Sequence, residues 1–301
     1  MIPFIKMQGC GNDYVFLDGF SGPLPADPAQ LAVQMSDRHR GIGADGLVLM
    51  LPPDSDTCAA RMRMFNADGS EGLLCGNALR CMAMWLHQSG RCGTQFAISM
   101  GVRSITSQIL ESCVEARTAV VRVLIGKPVQ LNSGVADNSR FVKHLSASDL
   151  TNVTLPKLIS PVAHVSMGNP HTVLFVPSLC DVDVEQLGAM IATHPFFPHR
   201  TNVEFVEIAN PSVSTNPNFA GADARVRVWE RGSGETLACG SGACAVAVAA
   251  SSAGLLSNRN SVVISMPGGE LRVLWDDDFN VNLEGPAVEV FRGAFLSGSV
   301  K

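Results

Sequence analysis

Two cysteines occupy matching settings in this sequence. Cys75 stands in GLLCGNALRC and Cys239 in TLACGSGACA; each is followed by a glycine, a small or amide residue, and then a largely apolar run. Past each cysteine the apolar residues take helical spacing: Leu79, Met82, Ala83 and Leu86 in one case, Ala243, Val246, Ala247 and Ala250 in the other. A cysteine placed just before a helix meets backbone N–H groups that lack intrahelical partners and the positive end of the helix dipole. That setting lowers a thiol pKa and makes an anion pocket beside the sulfur. Burial, the usual fate of cysteine, needs neither feature.

The elements around these cysteines repeat. An offset of 164 positions aligns Glu71 with Glu235, Cys75 with Cys239, Gly76 with Gly240, Ala83 with Ala247 and Gly90 with Gly254. Two weaker echoes precede them in the same order: GNDYVFLD with GNPHTVLFV, and HRGIGADGLVL with HRTNVEFVEI. Collinear matches of this kind indicate an internal duplication. Short strands are expected at 15–17, 47–51 and 61–65, and at 172–175, 203–208 and 225–229 in the second half. A helix is expected from Leu31 to near His39, stopped by Gly41, with Gly90 and Gly254 closing the helices behind the cysteines. The region 99–131 reads as strands joined by turns, and 262–293 as a hairpin-rich sheet turning at Pro267-Gly268-Gly269.

The expected class is α+β: two pseudo-symmetric lobes, each a mostly antiparallel sheet wrapped around a central helix, with the active site in the cleft between them. The expected lobes are residues 1–130 and 131–286, with 287–301 packing back on the first; SASDLTNVTLPKLISP, 146–161, has the composition of a connector between halves.

Two thiols flanking one cleft, each beside an anion-binding helix start, suit one kind of chemistry. A substrate carboxylate held by backbone N–H groups places its α-carbon between the sulfurs. One thiolate removes the α-hydrogen and the other thiol delivers a proton to the opposite face, inverting the centre without a cofactor. Backbone donors aimed at the carboxylate would stabilise the enolate charge by about 3 kcal/mol each.

Composition narrows the alternatives. The chain has 301 residues, 46% of them hydrophobic, and a formal charge of −5, which gives no general attraction to nucleic acid. Its start lacks the pattern of a secretory leader, and no uninterrupted apolar run is long enough for a membrane span. Nine cysteines, an odd number in a long chain, suit free thiols in a reducing cytoplasm. GIGADG at 41–46 has dinucleotide-loop spacing, but the strand LVLML follows it instead of preceding it. The spacings of Cys75 with Cys81 and of Cys239 with Cys244 lack the close pairing typical of zinc sites, so no metal is expected. A nucleophilic cysteine served by Asn169 and His171 is conceivable on types alone, yet it leaves the second cysteine without a role.

The stretches KMQGCGNDYVFLD, DRHRGIGADG, FNADGSEGLLCGNALRC, GNPHTV, RTNVEF and WERGSGETLACGSGACA jointly resemble the diaminopimelate epimerases, over nearly the full length. That resemblance implies interconversion of LL- and meso-diaminopimelate for lysine and peptidoglycan precursors, without a cofactor, by a cytoplasmic homodimer. A contact between copies is then expected around Phe291. It implies Cys75 and Cys239 as the acid–base pair, with His171 and Glu230 as auxiliaries. Gly76-Asn77 and Gly240-Ser241 would hold the reacting carboxylate; Asn66, Asn202 and Arg231 would read the far end of the substrate; Asn12, Asn169 and Glu230 would line the pocket. Arg231 offers the planar fork that a distal carboxylate wants, and Glu230 an acceptor for an ammonium group. The alternative within the same fold is a racemase of another amino acid, such as histidine or proline. Two positions depart from the family pattern: Gly46, where many members carry glutamine, and Ala78, where many carry glycine.

Overall fold

The computed structural model describes residues 1–72, 75–101, 103–132, 138–146, 148–209, 221–256 and 260–296. It forms two compact units, Met1–Leu124 with Gly285–Lys301, and Ile125–Glu284. The segment 146–161, whose composition suggested a connector, lies inside the second unit.

In the first unit, strand Ile2–Gly9 pairs antiparallel with Asn12–Asp18, which crosses through helix α1, Pro28–Ser36, to a parallel partner, Gly46–Leu51. That strand turns back into Ala60–Asn66, which pairs with the short strand Glu71–Gly72. Helix α2, Gly76–Gln88, then leads to Gln95–Ser99, parallel to Ala60–Asn66, and on to the antiparallel strands Ser104–Cys113 and Thr118–Gly126. The C-terminal part of Val281–Phe295 pairs antiparallel with Ile2–Gly9.

The second unit repeats this order. Val162–Ser166 and Pro170–Phe175 are antiparallel, helix α3, Val184–Ala192, crosses to the parallel strand Asn202–Ile208, and Ala224–Glu230 and Gly234–Thr236 follow antiparallel. Helix α4, Gly240–Ser252, leads to Val262–Met266, parallel to Ala224–Glu230, and then to Gly269–Trp275. The class is therefore α+β, mostly strands with four α-helices among the described residues.

Helices α2 and α4 are the core helices. Each has 13 residues, and α2 is buried continuously from Asn77 to Leu86, α4 from Gly242 to Ala250. A helix covered on all faces needs apolar or small residues all round, which the alanine and valine run of α4 supplies. Both end in the same way. The backbone N–H of Arg91 reaches Leu86 O at 3.0 Å past Gly90, and that of Leu255 reaches Ala250 O at 2.9 Å past Gly254. Both glycines have positive φ, 73° and 67°, so each helix closes in a left-handed cap.

Helix α1 ends earlier than its apolar spacing suggested. Its start is fixed by Asp27, whose side chain accepts from Gln30 N, with proline in the first turn. Its end is set by Asp37, whose Oδ1 accepts from the backbone N–H groups of His39 and Arg40 at 2.8 and 2.9 Å. That side chain competes with the helix for the donors. The N–H groups of Ile42 and Gly43 return to Met35 O, both at 2.9 Å, so GIGADG is a turn that closes α1 and enters the strand.

Glycine at position 46 has a local cause. It opens a strand opposite Asn66, where a Cβ would lie 2.4 Å from the Phe65 carbonyl oxygen. The approach of these two strands admits no side chain without a backbone shift.

Candidate active site

Cys75 is the N-cap of α2 and Cys239 the N-cap of α4, both in extended backbone conformation. Each sulfur accepts from the N–H of the third helical residue, Ala78 or Gly242, at 3.4 Å. A thiol here takes the place of the usual serine or aspartate cap. The N–H groups at the very start of each helix, Gly76 and Gly240, have no intrahelical acceptor.

In the first unit, Cys75 Sγ also lies 3.1 Å from the Tyr14 hydroxyl, with the thiol donating. Tyr14 sits on the strand that Asn12 opens, and both are buried. Asn77, 3% exposed, has its Oδ1 held by Arg80 Nη2 at 2.9 Å. Asn66 ends its strand and donates to Ser70 Oγ at 2.9 Å.

The second unit holds a continuous polar chain. Glu204 Oε1 meets His171 Nδ1 at 2.6 Å, and both side chains are fully buried. His171 Nε2 lies 3.1 Å from Asn169 Oδ1, Asn169 Nδ2 donates to Ser241 Oγ at 3.2 Å, and Ser241 Oγ is 3.6 Å from Cys239 Sγ. With Asn169 assigned this way, His171 Nε2 carries a proton. The short contact then holds one further proton between Nδ1 and the Glu204 carboxyl. Glu230 accepts from Thr236 Oγ1 at 2.6 Å and from the Cys239 thiol, and its burial raises its pKa.

These groups decide the state of Cys239. Burial first, and then the negative charges of Glu230 and Glu204, push its pKa well above the ordinary thiol value, against the opposing hydrogen bonds from Ser241 and Gly242. The sequence suggested a lowered pKa from the helix start alone. That effect is local, worth about 0.3–1 kcal/mol at exposed sites, and loses to desolvation and two carboxylates. Cys239 is therefore held as a thiol, the form that can donate a proton.

Asn202 and Arg231 lie together, but Asn202 is engaged by the backbone. Its Oδ1 accepts from Arg231 N at 3.0 Å and its Nδ2 donates to Pro170 O at 3.2 Å. The Arg231 side chain is exposed and donates to His199 O at 3.2 Å. Three site partners went unread in the sequence. Glu204 had a signal, a carboxylate inside the apolar strand NVEFVEI, every residue of which is buried. Tyr14, the sole tyrosine, had a weaker one. Thr236 had none. Among the described residues, no group of three or more His, Cys, Asp or Glu side chains is placed to hold a metal ion. Nor is any helix among them long and apolar enough to cross a membrane.

The profile of the family described as diaminopimelate epimerase matches residues 4–130 and 163–290. A diaminopimelate epimerase from Desulforudis audaxviator is 41% identical over 299 residues, covering 97% of this chain and 99% of that one. One from Desulfovibrio desulfuricans is 39% identical over 302 residues, covering 97% of each. This chain belongs to the diaminopimelate epimerase family. Among solved structures, a hydroxyproline epimerase from Agrobacterium vitis with trans-4-hydroxy-L-proline bound superposes with a TM-score of 0.62 at 13% identity, covering 99% of this chain and 94% of that one. A PhzF-family phenazine biosynthesis protein from Bacillus anthracis gives 0.63 at 15%, covering 97% and 98%. These distant likenesses show that the diaminopimelate epimerase family shares its fold with proteins of other named activities.

Buried thiols also give this family member an expected alkaline limit. Burial raises Cys10 and Cys239, and takes Cys81 up to about 12. Above about pH 8.5 the unfolded chain sheds thiol protons that the folded chain keeps. The folded state then binds more protons, so stability falls as pH rises, by up to about 1.4 kcal/mol per pH unit for each thiol. A Tm that is level below about pH 8 and declines above about 9 is expected in reducing buffer. A Tm level to about pH 11 would contradict this assignment of the thiols.

Proposed function

We propose that this chain interconverts LL- and meso-diaminopimelate by two-base proton transfer at the α-carbon, with Cys75 and Cys239 as the acid–base pair. The observation that carries the reading is the pair of core helices, each capped by a cysteine whose sulfur takes a helix N–H, in a chain of this family. In one direction Cys75, capping α2 beside Tyr14, passes its own proton on and as the thiolate removes the α-hydrogen. Cys239, kept as a thiol by burial and two carboxylates, then delivers its proton to the opposite face of the carbanion. In the reverse direction the roles exchange.

The starts of α2 and α4, Gly76-Asn77 and Gly240-Ser241, would bind the reacting carboxylate and take up the charge it gains as the α-proton leaves. Asn12 and Asn169 would line the pocket, while Asn66, Asn202 and Arg231 would read the distal end. His171 and Glu230, joined to Cys239 through the contacts above, tune its protonation. The nine free cysteines support a reducing, cytoplasmic setting. Homodimer assembly around Phe291 belongs to the same proposal, supported by the exposure of Val290, Phe291 and Leu296.

The test is to incubate the purified chain with LL-diaminopimelate, and separately with L-histidine and L-proline, and to follow stereochemistry by chiral chromatography. Formation of meso-diaminopimelate alone is expected. Racemisation of histidine or proline, with diaminopimelate left unchanged, would overturn the proposal.

A further inference from the structure

We infer that Arg80 is a positioning residue for the proposed reaction: its buried guanidinium fixes Asn77 and places an uncompensated positive charge behind the carboxylate-binding start of α2. This inference rests on the function proposed above.

Arg80 is fully buried. Its Nε donates to Pro286 O at 3.3 Å, and its Nη2 donates to Asn77 Oδ1 at 2.9 Å and reaches Cys10 Sγ at 3.8 Å. Nη1 has no hydrogen-bond partner. Among the described residues, no carboxylate forms an ion pair with Arg80. An arginine stays ionised in a protein, and a buried charge without a counter-ion is costly. The chain nevertheless builds a housing for it. A Cβ at Gly9 would sit 3.2 Å from Nη2, and the next residue, Cys10, takes φ +53°, a strained conformation for a side chain of this kind. Asn12 follows this turn directly, so two of the proposed substrate contacts, Asn77 and Asn12, lie beside it.

The fold itself does not call for the charge. The internal repeat places Cys244 at the matching position of α4, and that helix is buried and capped in the same way without a cation. The second unit instead surrounds its cap cysteine with Glu204 and Glu230. The charge is thus a property of one site.

Its consequence follows from geometry. With Oδ1 held by the guanidinium, the Asn77 amide turns its N–H donors the other way, and the adjacent positive charge makes them stronger donors. A fixed cation stabilises the reacting carboxylate more as that group gains charge, so its removal lowers kcat more than it raises KM. The groups facing Arg80 are Cys10 from the turn, Asn77 from its own helix and the Pro286 carbonyl from the returning strand; Cys81, the next residue in the helix, also feels its charge.

Steady-state kinetics on diaminopimelate should show Arg80→Gln losing roughly 10- to 100-fold in kcat with KM within about 3-fold, and Arg80→Lys recovering much of the loss. In a double-mutant cycle with Asn77→Ala, the two losses should be clearly less than additive. Iodoacetamide labelling of Cys75, read by mass spectrometry, should need a higher pH in Arg80→Gln, which a purely structural role would not produce. Unchanged kcat, equal losses in the lysine and glutamine variants, or additive losses would overturn the inference. If Arg80→Gln fails to fold, the cycle is run with Arg80→Lys, and additivity there overturns it. A wild-type chain inactive on diaminopimelate would instead remove the proposed function, and the labelling shift would still report the charge at Cys75.

Discussion

Cys75→Ala and Cys239→Ala should each lower the interconversion of LL- and meso-diaminopimelate by at least about 10³-fold, while both variants stay folded. The size follows from the role. In the proposed mechanism each thiol is half of an acid–base pair, and a positioned acid or base contributes about 10²–10⁴-fold; inversion by that route needs both in every turnover. Folding should survive because a cap substitution costs about 1 kcal/mol. The two losses differ in kind from a general loss of binding. A single variant keeps one sulfur, so it can exchange the α-hydrogen of one stereoisomer at most, without inverting it. Proton NMR in D2O on separate LL and meso samples reads this directly. Exchange confined to a different isomer in each variant assigns each cysteine to one face. Full turnover by either variant would end the two-thiol mechanism.

Glu204→Gln comes second in expected effect. Glu204 and His171 are both fully buried and share a contact of 2.6 Å, while Glu204 Oε2 has no partner. Removing one side of a buried charged pair costs about 3–5 kcal/mol, and a shape-conserving glutamine should cost near the lower end. The expected Tm loss is several degrees, at about 2–4 °C per kcal/mol for domains of 150–250 residues. Activity should fall as well, because the chain from Glu204 through His171 and Asn169 reaches Ser241 beside Cys239. The specific sign is in the thiol. Glu204 is one of the charges that raise the Cys239 pKa, so its neutralisation should move Cys239 labelling to lower pH. Glu207 provides the control. It is buried on the same strand but faces the other side, where it accepts from Leu179 N at 3.4 Å. Glu207→Gln should cost stability without moving the Cys239 labelling profile. An unmoved profile in Glu204→Gln would contradict the electrostatic account of Cys239.

Much of the site's skeleton was legible because its signals are local. A cysteine, a glycine and a change to helical spacing fall within one short stretch, and the structure places both cysteines as caps of 13-residue helices. The closing glycines were readable for the same reason. Parallel pairings such as Asn12–Asp18 with Gly46–Leu51 carry no such mark, because they depend on which strands a crossover brings together. The end of α1 was misjudged because apolar spacing ran on while Asp37 took the backbone donors. The Cys239 pKa was misjudged because one controlling group, Glu204, sits on a strand remote in sequence, and because only burial makes Glu204 and the nearer Glu230 decisive. Arg80 was hidden similarly: on a helix of mixed composition an arginine reads as a solvated residue until the helix proves to be enclosed.

The most direct test of the central claim follows deuterium during early turnover of LL-diaminopimelate in D2O. If one cysteine removes the proton and a different one supplies it, the meso product carries solvent deuterium at the inverted centre while the remaining LL substrate is still protiated. Deuterium appearing equally in recovered substrate and product, or the substrate's own hydrogen carried into the product, would mean that a single base serves both faces, and the two-cysteine account would be wrong.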